Sequence, residues 1–436
     1  MVRPIHLCVF PRSIHQAQGE NYSRLAEVTI LQLNFPLRRY VAALSLFVLV
    51  AVLGCRQSSF PDVPEGYREF AYVTNGASNT VSILDLVYLR QDRTVRVGDG
   101  PTGLGVNPIR DEVYVVNTGS GSVSVIDTAK NNVVATIPVG KLPFFITVEP
   151  AGHRAFVANF GSNSISMIDL DQRRVIYVAG SGEQPGPARI SPDMRSLVVS
   201  NRGSGSVSIF SVAPATGPDA TAAAPLLLRA TFAGCAGPTD ITILPNSSKA
   251  FVACSGSHHI MAIGLAAAAA SRAARHNSSL QTDRFLSLLD VGETPVHLAL
   301  KPDGGEIFVS NFSSDSVSEI ATGTNEIGGT YVIGNKPVHG IVSQDNGTLW
   351  VSDFGADSIS IYSIDDGRMI GSVHTGSGPD AMAFSADEHL LLVADAHSGD
   401  VAVIRTEGKQ GPALFTILPA GKSPNAIVVK AMQEKQ

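Results

Sequence analysis

Charge is what this sequence has least of. Only 16% of its 436 residues are Asp, Glu, Lys or Arg, against about 25% in an average soluble chain. Hydrophobic residues stand at 44%, so sparse charge is not accompanied by a lack of core material, and intrinsic disorder is excluded. Aromatic residues make up 6%, with one Trp, and no Lys or Arg run interrupts a chain of net charge −6. A nucleic-acid partner would need a basic track or a stacking platform, and the sequence supplies neither. Gly-x-Ser-x-Gly, His-Glu-x-x-His and phosphate-binding loops are absent as well, which removes the commonest signatures of hydrolases and nucleotide enzymes. Gly and Pro, in contrast, are plentiful at 41 and 25 and point to many turns.

Near the N-terminus one apolar run stands out. VAALSLFVLVAVLG (41–54) follows Arg38 and Arg39 and precedes Cys55. It is too short to span a hydrocarbon layer of about 30 Å, which needs roughly 20 residues, and it has the layout of a secretory signal. Val52-Leu53-Gly54-Cys55 resembles a bacterial lipoprotein cleavage box, which implies a lipid on Cys55; an ordinary signal peptide with a chance Cys is the other reading. Arg56 is not an Asp-type inner-membrane retention signal, so the expected location is the periplasmic side of the envelope, with the outer membrane preferred. Residues 1–36 carry Glu20 and Glu27 where a signal should be basic, and read as an upstream extension or a misassigned start. This divides the chain into 1–36, a signal at 37–54, a linker at 55–66 and a folded domain at 67–431. Of the four Cys, Cys235 and Cys254 remain in that domain, 19 apart. In an oxidising compartment they are expected to form a disulfide.

Internal repetition sets the architecture. AYVTNGASNTVSILD (71–85) recurs as VYVVNTGSGSVSVID (113–127), AFVANFGSNSISMID (155–169) and LVVSNRGSGSVSIFS (197–211), then in more worn form four times more. The residue closing each apolar run is Asn75, Asn117, Asn159, Asn201, Cys254, Asn311, Asp353 or Asp395, at spacings of 42 except where 11 and 15 residues are inserted at 211–228 and 264–283. Both insertions fall between the third and fourth strands of neighbouring units, and the Ala-rich 265–275 is expected as a surface loop. Each unit alternates with period 2 in four short β-rich runs divided by turn residues, the pattern of a propeller blade. The tetrapeptide Tyr72-Val73-Thr74-Asn75 and the runs NTVSILD, SVSVID and VVATIPVG resemble the YVTN-repeat β-propellers of bacterial and archaeal envelope proteins. That resemblance implies a propeller over 67–430 and fixes no activity. The first unit lacks a first strand and the C-terminal SPNAIVVKA (423–431) lacks the other three. Pairing AIVV (426–429) with YVTN closes an all-β ring of eight four-stranded blades and removes two sheet edges; seven blades would displace one unit.

Candidate binding residues follow from position in the repeat. The closing Asn or Asp reads as turn chemistry, since Asn tolerates left-handed backbone angles. The next residue lies on the face carrying the turns between second and third strands, and there Phe160, Arg202, Phe312 and Phe354 stand out. Two residues after the Pro that opens each first strand come Asp240, His297 and His339, at matching places near the central channel. The two His, 42 apart, are expected to face one another from adjacent blades. They either make ordinary hydrogen bonds or take a metal or planar cofactor; the latter loosely resembles haem-containing nitrite reductases, although no Cys-x-x-Cys-His is present and only Arg202 and Arg189 lie near for a carboxylate-rich ring. His258 and His259 read as a turn. The leading expectation is a lipid-anchored binding scaffold for an envelope protein, peptide or glycan, with no cofactor and no catalysis. The alternatives are a cofactor- or metal-binding redox propeller and a hydrolase or lyase resembling propeller lactonases.

Overall fold

A computed structural model of the chain describes residues 63–214, 225–266, 282–408 and 411–433. Cys55, the apolar 41–54 and most of both insertions lie outside the described residues. From Gly66 onward the described chain is one unit, and all of its regular elements are strands. β1 (Tyr67–Asn75), β2 (Thr80–Asp85) and β3 (Arg90–Arg96) come first. Seven quartets follow: β4 (Pro101–Val106) to β7 (Asn132–Pro138), β8 (Pro143–Val148) to β11 (Arg174–Gly180), β12 (Pro185–Ile190) to β15 (Leu226–Ala233), β16 (Pro238–Ile243) to β19 (Arg284–Asp290), β20 (Pro295–Leu300) to β23 (Glu326–Val332), β24 (Pro337–Val342) to β27 (Arg368–His374), and β28 (Pro379–Phe384) to β31 (Ala413–Pro419). The last strand is β32 (Pro424–Gln433).

Each quartet is one antiparallel sheet, and β32 completes the remaining sheet in the order β3-β2-β1-β32. The closure register sets Tyr72 opposite Val428, Val73 opposite Ile427 and Thr74 opposite Ala426. The protein is an eight-bladed propeller, and blade 1 is assembled from both ends of the chain. Thr74 Oγ1 donates to Asn425 Oδ1 at 2.6 Å across the join.

Burial explains the sequence pattern strand by strand. The second strand of blade 2, EVYVVN, is buried throughout, because it lies between the faces of two neighbouring blades. In the fourth strand NVVATIP, burial alternates along its length, as expected for an outer strand with one face on solvent. The core is therefore a set of layers between blades. One joins Phe156, Ile165 and Met167 of blade 3 to Leu197, Val199 and Phe210 of blade 4, and burying each such side chain contributes roughly 1.5–3 kcal/mol.

The closing Asn of each repeat has a different role from the one its residue type suggested. None of these Asn has a positive φ; the left-handed position is the fourth residue after it, as at Asn79, Gly121, Asn163 and Asp315. The closing Asn is instead fully buried and clamps three chain segments together. In blade 3 Asn159 Nδ2 donates to Ser164 Oγ at 3.2 Å and Ser166 Oγ at 2.9 Å on the third strand. Its Oδ1 accepts the Gly140 N–H at 3.0 Å from the connection entering the blade. A Cβ on Gly140 would sit 2.5 Å from the Asn159 side chain, so glycine is required there by close approach. The same bonds recur around Asn201 with Gly182 and around Asn75 with Gly421.

Blade 5 solves the same problem covalently. Cys254 stands where the other blades have Asn or Asp, Cys235 stands where they have Gly, and the two form a disulfide with Cα atoms 4.9 Å apart. The residues five and seven places on, hydroxyl-bearing around Asn159, are His259 and Met261 here. An Asn at 254 would have no side-chain hydroxyl to bond, and the bridge holds the entering connection in its place.

Candidate functional site

Each first strand forms the inner edge of its blade and opens with Pro. Immediately after the Pro the pairing with the second strand shifts register, between Pro238 and Asp240, Pro295 and His297, and Pro337 and His339. A bulge of this kind re-aims the side chain that follows it. It turns Asp240, His297 and His339 along the channel wall toward the neighbouring inner strands.

The result is a polar array running across four blades. The His297 and His339 rings stack, with centroids 3.9 Å apart and planes inclined by 25°. His297 Nδ1 accepts the Gly340 N–H at 3.3 Å, and its Nε2 lies 3.6 Å from Asp240 Oδ2. Asp240 repeats the device one blade back: Oδ2 accepts the Leu298 N–H at 3.0 Å and Oδ1 the Ile241 N–H at 2.8 Å. Inner strands have no partner on their channel side, and these side chains satisfy backbone donors that would otherwise be exposed there. Arg189 of blade 4 ends the array. Its guanidinium lies over the Phe145 ring at 4.8 Å, with NH2 3.6 Å from Asp240 Oδ1.

Burial keeps both imidazoles neutral. Loss of solvation first, and the Arg189 charge second, push His297 down to about 3. His339 is held well below its ordinary value mainly by burial, with the adjacent His297 ring adding to it. About 20% of the His297 side chain remains accessible, and the residue lines the channel cavity. Bonding explains the same result, because a protonated Nδ1–H would point at the Gly340 N–H.

Next to the array lies a cavity of about 400 Å³. From His297 and His339 its wall runs along β12, β16, β20 and β24 to Ile190, Ile243, Leu300 and Val342 at their far ends, and to Pro192 beyond β12. The cavity therefore extends away from the face bearing the aromatic residues. There Phe312 packs under Lys336, with Nζ 5.9 Å from the ring centroid, and Phe354 meets His397 edge-on at 4.9 Å. Phe160 is half-buried and Arg202 exposed. The structure brings Asp240, His297 and His339 together, and leaves Phe160, Arg202, Phe312 and Phe354 outside the cavity wall.

Two groups that position in the repeat did not single out belong to this region. Arg189 lies two places further along its strand than the matched positions, and only the ring geometry brings it to Asp240. Asp380, one place after Pro379, has its backbone carbonyl bound by Ser352 Oγ at 3.0 Å, and burial pushes its carboxyl up to about 6. The His258-His259 pair lies apart from the array. His258 has a positive φ of 57° and its Nδ1 accepts the Thr294 N–H at 3.1 Å, the task Asn79 performs for Gly100; His259 pairs with Asp290.

A metal or haem iron held between the stacked His would need a free nitrogen lone pair on each. Those lone pairs lie in the ring planes, and the His297 and His339 rings are stacked face to face with centroids 3.9 Å apart while Nδ1 of His297 is engaged by Gly340, so the pair does not fit two axial ligands.

Residues 335–429 match the family described as "Lactonase, 7-bladed beta-propeller". Among proteins of curated function, none matches the chain. Solved structures similar to it include the dihydro-heme d1 dehydrogenase NirN in complex with DHE, at 14% identity over 87% of this chain and 77% of that one, with a TM-score of 0.66. A putative 6-phosphogluconolactonase from Bacteroides fragilis is 16% identical over 85% of this chain and 100% of its own, with a TM-score of 0.54. The hydrazine synthase of Kuenenia stuttgartiensis is 18% identical over 77% and 92%, with a TM-score of 0.50. At such identities the similarity is one of fold, and on that ground the chain is a β-propeller.

Proposed function

We propose that this protein is a non-catalytic binding propeller of the YVTN-repeat type, lipid-anchored in the cell envelope through Cys55, whose ligand enters the central channel. The ligand is a peptide terminus or another small organic molecule. The supporting observation is that the polar groups beside the cavity are already committed. Asp240 and His297 bond backbone donors of the next blade, and both imidazoles are kept neutral by burial. A general base works best with a pKa near the operating pH, and these His lie far below it. The cavity, at about 400 Å³, falls within the usual range of small-ligand sites.

Hydrolysis is the second reading, favoured by the lactonase-type match over 335–429, which contains His339. Incubating the full-length protein with γ- and δ-lactones decides between them. No turnover above the buffer rate is expected; turnover that disappears in the His297→Ala, His339→Ala double variant would establish the hydrolase. Palmitate labelling of the wild type but not of Cys55→Ser is expected for the anchor, and equal labelling of both would remove it.

A further inference from the structure

Among the described residues, Arg189 is the one formally charged side chain on the cavity wall. Among the described residues it is engaged by the Phe145 ring and by Asp240 at 3.6 Å, beyond hydrogen-bond reach, and its buried Nε has no partner. A guanidinium carries five N–H donors in a rigid fork that suits a carboxylate. The other arginines beside buried carboxylates use theirs: Arg229 clasps Asp283 with two bonds of 2.8 Å, and Arg154 bonds Glu149 at 2.8 Å. Asp240 does not do the same for Arg189: its two oxygens accept the Ile241 and Leu298 N–H groups, and Oδ1 stays 3.6 Å from the guanidinium.

The rest of the wall selects further. Among its residues Ile243, Leu300 and Ile341 are half-buried and offer aliphatic surface beside the polar Thr242, His297 and His339. The N–H groups of Leu298 and Gly340 point away from the paired strand, toward side chains of the preceding blade. By the two-residue period of a strand, those of Leu300 and Val342 project on the same side, adding uncharged donors for an oxygen-rich head group.

We infer that the channel cavity binds a small organic monocarboxylate, with its carboxylate on Arg189 and an aliphatic body against the β20 and β24 side chains. Asp240 beside Arg189 balances part of the charge, so one negative charge is accommodated and a second is repelled. Phosphate esters and dicarboxylates are therefore disfavoured. The carboxylate belongs either to a free acid or to the C-terminus of a peptide ending in an aliphatic residue. This rests on the channel being the binding site.

Calorimetric titration of the full-length protein tests the inference with four probes: hexanoate, hexanamide, a tripeptide ending in Leu with a free carboxylate, and the same tripeptide amidated. Hexanoate or the free-acid peptide is expected to bind at least tenfold more tightly than its amide, and Arg189→Gln is expected to abolish that difference. Hexanoate as the tighter of the two acids identifies a free acid; the peptide as the tighter identifies a chain terminus. Equal binding of acid and amide by the wild type overturns the carboxylate assignment while leaving the channel as a binding site, and needs no variant to fold. Binding of adipate or hexyl phosphate more tightly than hexanoate also overturns it. Failure of all four probes to bind overturns the channel reading itself.

Discussion

Asp353 occupies the clamp position of blade 7, where five other blades carry Asn. It is 1% exposed, and burial pushes its carboxyl up to about 7. Ser360 Oγ donates to Oδ2 at 2.6 Å, while Oδ1 is buried with no partner. An unfolded Asp titrates near 3.9. Because the folded value is the higher one, the folded state retains its proton after the unfolded chain has released its own. Stability is therefore greatest below about 4 and is lost as pH rises to about 7, where ionisation of the buried group has its full cost. A difference of about three pH units at 1.36 kcal/mol each amounts to roughly 4 kcal/mol above pH 7, and to about 1.5 kcal/mol at pH 5. Asp353→Asn removes this term without a change of volume. Its new amide meets Ser358 and Ser360, the counterparts of Ser316 and Ser318, which receive Asn311 Nδ2 at 3.2 and 3.0 Å. Urea unfolding at pH 5 and pH 8.5 is expected to show the variant more stable at both, with the larger gain at pH 8.5. A gain that does not grow with pH, or a loss of stability at pH 8.5, would refute the reasoning.

The remaining expectations concern the bridge and the His stack. Cys254→Ser should lower stability by about 2–4 kcal/mol, and Cys235→Gly with Cys254→Asn should not restore it, since His259 and Met261 offer no hydroxyl to the new amide; full recovery in a thermal melt would contradict this account of blade 5. For His297, held neutral down to about 3 against an ordinary 6.5 in the unfolded chain, protons bind the unfolded state preferentially between those values. Stability is thus intact above pH 6.5 and declines as pH falls below it. The ring resonances of His297 should not shift between pH 8 and 5, and a midpoint near 6.5 by NMR would show that Gly340 does not hold Nδ1.

Blade count, strand order and closure were legible in the chain because they depend on local pattern: period-2 alternation, turn residues at fixed offsets, and a missing first strand whose counterpart waits at the C-terminus. The matched positions of Asp240, His297 and His339 were legible for the same reason, since equivalent residues of adjacent blades must be neighbours in a ring. Three properties required the folded molecule. Asn159 reads as a turn former until its Oδ1 is seen against Gly140, 19 residues earlier in the chain. Arg189 reads only as one of two arginines near the channel mouth until ring closure places it beside Asp240, 51 residues later in the sequence. The charge state of the His pair has no sequence signature, because it follows from desolvation within the channel and from one backbone N–H of the next blade. Repetition specifies which elements form and in what order, being written residue by residue along the strand. The chemistry of the channel arises from groups on successive blades about 50 residues apart, and only the tertiary structure decides what each of them touches.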